Sequence, residues 1–292
     1  MNLRKGIILA GGTGSRLWPV TIPVCKQLLP VFNKPMIYYP LTTLLLAGIK
    51  DILIITTSES IENFKNLLGD GSKFGINLEY KVQMEPKGIA EAFIIAKEFI
   101  GENSCALILG DNIFYGSGFS ELLLNKSSNH NRATLFASYV NDPENFGICE
   151  FFNDDTPKRI VEKPKSFISN WAITGLYFYD QDIVKIAEEI KPSGRGELEI
   201  SDVNQIYLEN KNLEVYKFSR GYAWLDAGTN ENLLKASQFV QTVEELQGLK
   251  IGCPEEVAWR MGLISSEELE KLISDYKEVD YATYLRSILN DT

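Results

Sequence analysis

Wholly apolar runs alternate with segments of helical periodicity through the first half of the chain. An uninterrupted apolar run is typical of a strand that is buried on both faces, as in a parallel sheet. Gly48, Gly69 and Gly101 close the helical segments, and glycine is the residue that most often follows the end of a helix. The pattern predicts strands at 7–10, 52–56, 78–82 and 105–109, with helices at 36–47, 61–68 and 89–99 between them.

This alternation of strand and helix favours an α/β fold, in which a parallel sheet carries helices on both faces. Ligands of such folds bind at the carboxyl ends of the strands. After about residue 133 the strands follow one another with few helices between, which predicts an antiparallel or mixed extension of the sheet. The predicted strands there are 134–140, 147–152, 159–162, 173–179, 215–218 and 223–225, and the predicted helices are 182–190 and 198–209.

A long helix and a helical tail complete the pattern. Thr229 is a suitable N-cap for a helix that runs through Leu246. Pro254, followed by two glutamates, begins a further helix in the favoured way, and the amphipathic pattern continues to residue 290. Because an apolar helix face must be buried, we expect the tail, residues 251–292, to pack on the core or on a neighbouring subunit.

The composition is that of an acidic globular protein. The 292 residues are 45% hydrophobic and carry a formal net charge of −10. This charge argues against nucleic acid or a membrane surface as a partner, and no apolar stretch reaches the roughly 20 residues that span a bilayer. The four cysteines have neither metal-site nor redox spacing. Together with the lack of a signal-peptide pattern, this predicts a cytoplasmic protein.

A single histidine, His130 in a polar segment, limits the catalytic chemistry. A Ser-His-Asp or Cys-His mechanism would depend on this one residue, and a histidine-rich zinc site is excluded. We therefore expect any reaction to use carboxylates, lysine, arginine, backbone amides or a metal ion.

A glycine loop follows the first predicted strand. Gly11, Gly12 and Gly14 lie within four residues, which lets backbone amides approach a ligand closely. Arg16 and Lys26 add positive charge nearby, and this combination predicts polyphosphate binding. The loop matches neither the dinucleotide-binding pattern nor the P-loop pattern. The alternative is a glycine-rich turn with unrelated basic neighbours.

Two aspartates are expected at the carboxyl ends of strands. Asp111 follows the run 105–109, and Asp226 follows the strand predicted at 223–225. Two carboxylates together with substrate phosphate oxygens suit Mg²⁺, which needs few protein ligands. The alternative for each residue alone is an Asx turn or a helix cap.

An acidic residue at the end of the strand at 159–162 and a basic residue directly after it suggest contacts with a phosphorylated substrate. Glu162 can accept hydrogen bonds from hydroxyl groups and Lys163 can pair with a phosphate, while Pro164 fixes the turn. Arg195 lies in a glycine-containing loop and can clamp a phosphate. The alternatives are an exposed ion pair at the strand end and a solvated arginine.

Taken together, the motifs resemble those of the sugar nucleotidyltransferases and, among these, the glucose-1-phosphate thymidylyltransferase family. The resemblance covers nearly the whole chain, and many matches in one order are more specific than any single motif. The motifs are Leu9-Ala10-Gly11-Gly12 through Arg16-Leu17, Lys26-Gln27-Leu28-Leu29-Pro30, Leu109-Gly110-Asp111-Asn112, Glu162-Lys163-Pro164, Arg195-Gly196-Glu197-Leu198-Glu199 and Gly221-Tyr222-Ala223-Trp224-Leu225-Asp226.

The resemblance implies a role for each residue that the family's motifs match. Asp111 and Asp226 would bind Mg²⁺, and the implied catalytic set is Arg16, Lys26, Asp111, Lys163 and Asp226. The implied nucleotide-binding residues are Gly11, Gly12, Gly14, Ser15, Arg16, Lys26, Gln27, Gln83, Gly88 and Asp111. The implied sugar-phosphate-binding residues are Asn112, Gly147, Glu162, Lys163, Ile173, Tyr177 and Arg195.

The implied fold is a Rossmann-like nucleotidyltransferase fold with a mixed central sheet, a small sugar-binding lobe and a helical C-terminal tail. Its domain would span residues 1–250, with the nucleotide part at about 1–132 and the sugar-phosphate part at about 133–228. The implied reaction is Mg²⁺-dependent transfer of a thymidylyl group from dTTP to glucose 1-phosphate. Uridylyl or cytidylyl transfer to the same sugar phosphate and a non-catalytic nucleotide-sugar sensor are the alternatives.

Two segments depart from the family's pattern: the glycine loop has Thr13-Gly14-Ser15 where the family usually has Ser-Gly-Thr, which is expected to change little, and the segment 83–91 differs more. Family members commonly have proline directly after the residue that matches Gln83, and glutamine where this chain has Glu91. Because this segment borders the implied base pocket, the choice of base is less well defined than the reaction. The family also implies a homotetramer and feedback inhibition by a dTDP-sugar end product at a separate site.

Overall fold

The structure, a computed structural model, describes residues 4–277 and 279–290. The strands are β1 (Lys5–Ala10), β2 (Pro30–Val31), β3 (Lys34–Pro35), β4 (Asp51–Thr56), β5 (Asn77–Val82), β6 (Cys105–Leu109), β7 (Asn112–Gly116), β8 (Ala133–Tyr139), β9 (Gly147–Phe151), β10 (Pro157–Glu162), β11 (Trp171–Tyr179), β12 (Leu213–Lys217) and β13 (Tyr222–Asp226). The helices are α1 (Tyr38–Leu46), α2 (Ile61–Leu68), α3 (Glu91–Ile95), α4 (Lys97–Ile100), α5 (Phe119–Ser127), α6 (Ile183–Glu189), α7 (Ile200–Glu209), α8 (Asn230–Gln247), α9 (Pro254–Arg260), α10 (Ser266–Asp275) and α11 (Asp280–Asn290).

The central sheet is mixed, which confirms the predicted fold class. Its main path runs β10-β9-β11-β6-β1-β4-β5, and β8 joins β11 on one side and β12 on the other. Strands β6, β1, β4 and β5 pair in parallel, whereas β11 is antiparallel to β6, β8 and β9. The wholly parallel half therefore comes from the first part of the chain. The extension comes from the second part and is mixed, since β12 pairs in parallel with β8, which agrees with the predicted antiparallel or mixed extension.

Successive residues of the parallel strands pack into two separate cores. Ile8 of β1 belongs to the core that also contains residues of α1 and of the C-terminal helices. Its neighbour Ile7 belongs to the core on the opposite face, which contains residues of α3, α6 and α7. The same alternation holds for Leu53 and Ile54 of β4. Both faces of the sheet are thus covered, which explains why these strands are apolar throughout.

A two-stranded ribbon beside the main sheet was not predicted in full. β7 directly follows Asp111 and pairs antiparallel with β13, so that Asn112 lies opposite Asp226. The sequence analysis identified most of β13 but neither β7 nor α5. The ribbon brings the end of β13 back to the end of β6, where the Ala227 amide donates to the Asp111 carbonyl at 3.0 Å.

The helix predicted at 89–99 is wrong in its length and continuity. Two short helices, α3 and α4, stand there, with the buried Ala96 between them in a non-helical conformation. Lys81 Nζ donates to the Ile95 carbonyl at 3.2 Å, which satisfies an acceptor at this break. Periodicity alone gives no sign of this interruption, because the apolar face continues across it.

The C-terminal tail packs on the chain's own core. Leu269, Ile273, Leu285 and Ile288 of α10 and α11 belong to the same core as Ile8. Glu255 of α9 is fully buried, and its carboxylate accepts hydrogen bonds from two tyrosine hydroxyls of the tail, Tyr276 and Tyr281, at 2.6 Å each. The tail residues therefore contribute to the core of their own chain.

The long predicted helix and its cap are confirmed. Thr229 is the N-cap of α8, and its side chain accepts a hydrogen bond from the Asn232 amide at 3.2 Å. Within residues 4–277 and 279–290, we find no helix with the length and hydropathy needed to cross a lipid bilayer.

Candidate active site

The glycine loop begins where β1 ends and leaves an open face toward solvent. Gly11 is packed so tightly that a Cβ atom there would overlap Gln83 Oε1. Gly14 adopts a left-handed conformation (φ 63°), which glycine takes without strain, and precedes a single helical turn at Ser15–Leu17. The Thr21 hydroxyl donates to the Gly14 carbonyl at 2.7 Å. Gly12, Ser15 and Arg16 are exposed, so they are accessible to a ligand.

Lys26 and Asp111 form a buried ion pair beneath this loop. Lys26 Nζ contacts Asp111 Oδ2, and both residues are buried. Burial favours the neutral carboxyl, but the opposing effect of the Lys26 ammonium holds the pKa of Asp111 below its ordinary value. Asp111 therefore stays ionised, as a ligand of a cation must be.

Asp226 lies close enough to Asp111 to feel its charge. Burial raises the pKa of Asp226 to about 6, and repulsion by Asp111 adds to this effect. Arg16 and Lys26 oppose it. The carboxylates of Asp111 and Asp226 are thus held close together away from bulk solvent, and a divalent cation bound between them would relieve their repulsion.

Gly228 marks the point on which three charged side chains converge. A Cβ atom at this glycine would lie 2.8 Å from Asp226 Oδ1, 3.3 Å from Arg16 Nη2 and 3.5 Å from Asp111 Oδ2. The Gly228 amide donates to Asp226 Oδ1 at 2.9 Å and so orients that carboxylate. The predicted phosphate-binding arginine and the predicted metal-binding aspartates are therefore brought together by the fold.

A cavity of about 160 Å³ opens beside this cluster. It lies between the ends of β6, β9, β10 and β11, the N-terminus of α7, and the β7–β13 ribbon. Arg16 and Asp226 line it on the side of the acidic pair. The predicted sugar-phosphate residues that line it are Asn112, Gly147, Glu162, Lys163, Ile173 and Tyr177.

Asn112 links the acidic pair to this cavity. Its Oδ1 accepts from the Gly175 amide at 3.0 Å and from Trp224 Nε1 at 2.6 Å. Its Nδ2 donates to Asp111 Oδ1 at 3.2 Å. These contacts fix both ends of the amide, so that Asn112 holds Asp111 in place as well as lining the cavity.

Arg195 lies outside the cavity lining. Its guanidinium donates to Glu199, with Nη2 2.8 Å from Oε2, and approaches Glu162 Oε1 at 3.7 Å. Burial raises the pKa of Glu162, while Lys163 and Arg195 favour its charged form. In this arrangement Arg195 contacts the carboxylates of Glu162 and Glu199 next to the cavity. Its contact with substrate stays a prediction.

Two residues predicted to face the base pack against glycines that follow β1 and β6: a Cβ atom at Gly11 would overlap Gln83, and one at Gly110 would lie 2.8 Å from Gln27 Cγ. Gln27 and Gln83 are both buried, and Gln83 directly follows β5. Gly88 has a φ of 103°, and a Cβ atom there would overlap the Leu198 backbone, so only glycine fits. The Leu198 amide donates to the Lys87 carbonyl at 2.7 Å, which anchors this segment near the sugar-phosphate side.

Comparison with known proteins identifies the family. The family model described as nucleotidyl transferase matches residues 5–243, which is most of the chain. The chain belongs to the nucleotidyl transferase family. The matched region contains every residue of the site described above.

Individual relatives show which members of the family this chain resembles. This nucleotidyl transferase is 54% identical to the glucose-1-phosphate thymidylyltransferase of Neisseria meningitidis over 98% of this chain and 99% of that protein. It is 50% identical to the enzyme of the same name from Mycobacterium tuberculosis, with the same coverage of both chains.

Solved structures agree with the fold. A candidate glucose-1-phosphate thymidylyltransferase from Bacillus anthracis, in complex with a sucrose, has a TM-score of 0.75 and 41% identity, covering 81% of this chain and 94% of that one. A UDP-glucose pyrophosphorylase complexed with UDP-glucose has a TM-score of 0.72 and 25% identity, covering 82% and 99%. This nucleotidyl transferase therefore shares its fold both with a protein named as a thymidylyltransferase and with one named as a UDP-glucose pyrophosphorylase.

Several site residues of this nucleotidyl transferase escaped sequence analysis. Ser201 and Asn204 of α7, Gly175 of β11 and Trp224 of β13 line the cavity. The buried Ser201 hydroxyl lies beside the Glu162 carboxylate and favours its charged form, which opposes the effect of burial on the pKa of Glu162. These residues lie in segments that carry the family resemblance, but their types alone do not distinguish cavity lining from ordinary core.

Proposed function

We propose that this nucleotidyl transferase transfers a thymidylyl group from dTTP to α-D-glucose 1-phosphate, releasing pyrophosphate and forming dTDP-glucose. The convergence of Arg16, Asp111 and Asp226 near Gly228, beside the cavity that Glu162 and Lys163 line, is the observation that supports nucleotidyl transfer as the reaction. The near-full-length similarity to glucose-1-phosphate thymidylyltransferases supports the choice of both substrates.

Mg²⁺ is the proposed metal, and Asp111 and Asp226 would hold it. Among residues 4–277 and 279–290 there is no group of three or more histidine, cysteine, aspartate or glutamate side chains that could bind a metal. Mg²⁺ suits a site with two carboxylates, since it keeps several waters and takes further ligands from substrate phosphates. When bound, it would neutralise charge on the phosphates during transfer.

The reaction needs alignment and charge neutralisation more than proton transfer. A phosphate oxygen of the sugar phosphate attacks the α-phosphorus of dTTP, and the bond to pyrophosphate breaks in the same displacement. The nucleophile is already an anion, so no general base is required. Lys163 would hold the sugar phosphate, while Arg16 and the glycine-loop amides would hold the triphosphate in line with it.

The nucleotide preference tests this proposal directly. We expect dTTP to give the highest kcat/KM with glucose 1-phosphate, UTP to be a usable second substrate, and ATP and GTP to be poor. Thymine and uracil differ by one methyl group, which is worth about 1–3 kcal/mol in a binding pocket. Pyrophosphate release with each of the nucleoside triphosphates measures the order.

Three results would contradict parts of this proposal. A higher kcat/KM for UTP than for dTTP would favour the uridylyltransferase alternative, to which the UDP-glucose pyrophosphorylase fold gives some support. A purine nucleotide within tenfold of dTTP would show that Gln27 and Gln83 do not form the base pocket. Binding without any turnover would favour the sensor alternative.

Feedback inhibition by a dTDP-sugar belongs to the same proposal. A second cavity, of about 380 Å³, lies between α1, α5 and the start of the tail. Tyr115, whose ring can stack on a base, and Lys250 are among the residues that line it, together with the carboxylates Glu121 and Glu256. This cavity is the candidate for the separate inhibitory site.

The assembly is proposed to be a homotetramer. We expect light scattering at micromolar concentration to give a mass near four times the 32.9 kDa of the chain. A monomeric mass would contradict the assembly without affecting the catalytic proposal. Because the tail packs on the chain's own core, its deletion would test folding and assembly together, so the intact chain is the appropriate sample.

A further inference from the structure

Gln83 has a fixed position between the glycine loop and the segment that follows it. Its backbone amide donates to the Thr56 carbonyl at 2.8 Å, and its side chain is buried. The side-chain oxygen lies against Gly11, where a Cβ atom would overlap it. One end of the amide therefore faces the loop that receives the nucleotide.

The other end of the same amide contacts Glu91. Gln83 Nε2 donates to Glu91 Oε2 at 2.7 Å, and the Lys87 amide donates to the same oxygen at 3.2 Å. An ionised carboxylate can only accept hydrogen bonds. The group that Gln83 turns toward Glu91 must therefore be the NH₂, and its oxygen must point the opposite way.

We propose that Glu91 is a positioning residue that fixes the amide orientation of Gln83 and thereby selects bases whose ring N3 carries a proton. Thymine and uracil have this N3–H, which donates to the Gln83 oxygen. Cytosine presents a bare N3 acceptor at the same edge, and two acceptors repel each other. The inference rests on the proposed function for the location of the base beside Gln83.

A neutral residue at position 91 would have a different effect on each base. Without an acceptor there, the Gln83 amide can rotate by 180° and present its NH₂ group to the base. In that orientation it donates to the N3 of cytosine. The preference for thymine and uracil over cytosine should then fall.

The test compares Glu91→Met with the parent protein. The readouts are dissociation constants for dTTP, dUTP and dCTP by calorimetry, and kcat/KM for each with glucose 1-phosphate. We expect the dTTP-to-dCTP ratio to fall at least about tenfold, while the dTTP-to-dUTP ratio stays the same, because thymine and uracil share the N3–H. Glu91→Gln keeps an acceptor oxygen and is expected to retain most of the parent protein's dTTP-to-dCTP ratio.

Two further variants control for folding and for charge. Glu91→Ala removes the acceptor with a smaller side chain, in case Glu91→Met fails to fold. Glu98→Met removes a carboxylate of the neighbouring helix α4 whose side chain is 90% exposed, and it should leave all three nucleotide ratios unchanged.

Specific outcomes would overturn the inference. Equal weakening of dTTP and dCTP in Glu91→Met would show that Glu91 only stabilises the segment. A parent protein that binds dCTP as well as dTTP would also overturn it. If UTP instead proves to be the better substrate, the donor assignment fails, but the dUTP-to-dCTP ratio still tests Glu91, so the two failures are distinguishable.

Discussion

Replacing Asp226 with asparagine is expected to lower kcat by about a hundredfold or more while leaving the fold intact. Asparagine has nearly the same shape, but it removes one of the two negative charges that converge near Gly228. Asp111 alone, already paired with Lys26, would offer a divalent cation too little charge. Steady-state kinetics at several Mg²⁺ concentrations, together with a thermal melt, measures both parts of the expectation.

A buried aspartate outside the site provides the matched control. Asp180 directly follows β11. It accepts hydrogen bonds from the Tyr207 hydroxyl at 2.6 Å and from Asn212 Nδ2 at 2.8 Å. Asp180→Asn should lower the melting temperature without lowering kcat. Near-normal turnover of Asp226→Asn at saturating Mg²⁺ would show that this residue is not a metal ligand.

Replacing Lys163 with alanine is expected to raise the KM for glucose 1-phosphate by tenfold or more, with much less change for dTTP. Lys163 follows β10, lines the cavity and is held by a hydrogen bond from its amide to the Phe146 carbonyl at 3.0 Å. A charge-assisted hydrogen bond is worth about 1.5–3 kcal/mol, and each 1.4 kcal/mol corresponds to about tenfold in affinity.

Two variants separate the charge of Lys163 from other effects. Lys163→Met keeps the length of the side chain but removes the ammonium, so it should behave like the alanine variant. Lys165→Ala removes an exposed lysine two residues away, outside the lining of the cavity, and should change neither KM. Equal increases in KM for glucose 1-phosphate and dTTP would show that Lys163 does not bind the sugar phosphate specifically.

The positions of the first strands and helices followed from the sequence because they depend on local patterns. Strands β1, β4 and β6 are buried on both faces, so each is visible as an apolar run. The same reasoning placed Arg16 and Asp111 at one edge of the sheet, since parallel strands end at a common edge. The break at Ala96 was missed because the apolar pattern continues across it; the Lys81 side chain, distant in sequence, donates to the Ile95 carbonyl there.

The sequence by itself determined the fold class, the alternation of strands and helices, and the residue types suited to a phosphate and a divalent cation. Only the tertiary structure decided which residues meet. The approach of Asp226 to Asp111 depends on pairing between β13 and β7, and the orientation of Gln83 depends on Glu91. The periodicity of apolar residues predicts which residues face a core, because this pattern depends only on residues that are neighbours along the chain. Contacts between segments far apart in sequence depend instead on how the whole sheet and its helices pack.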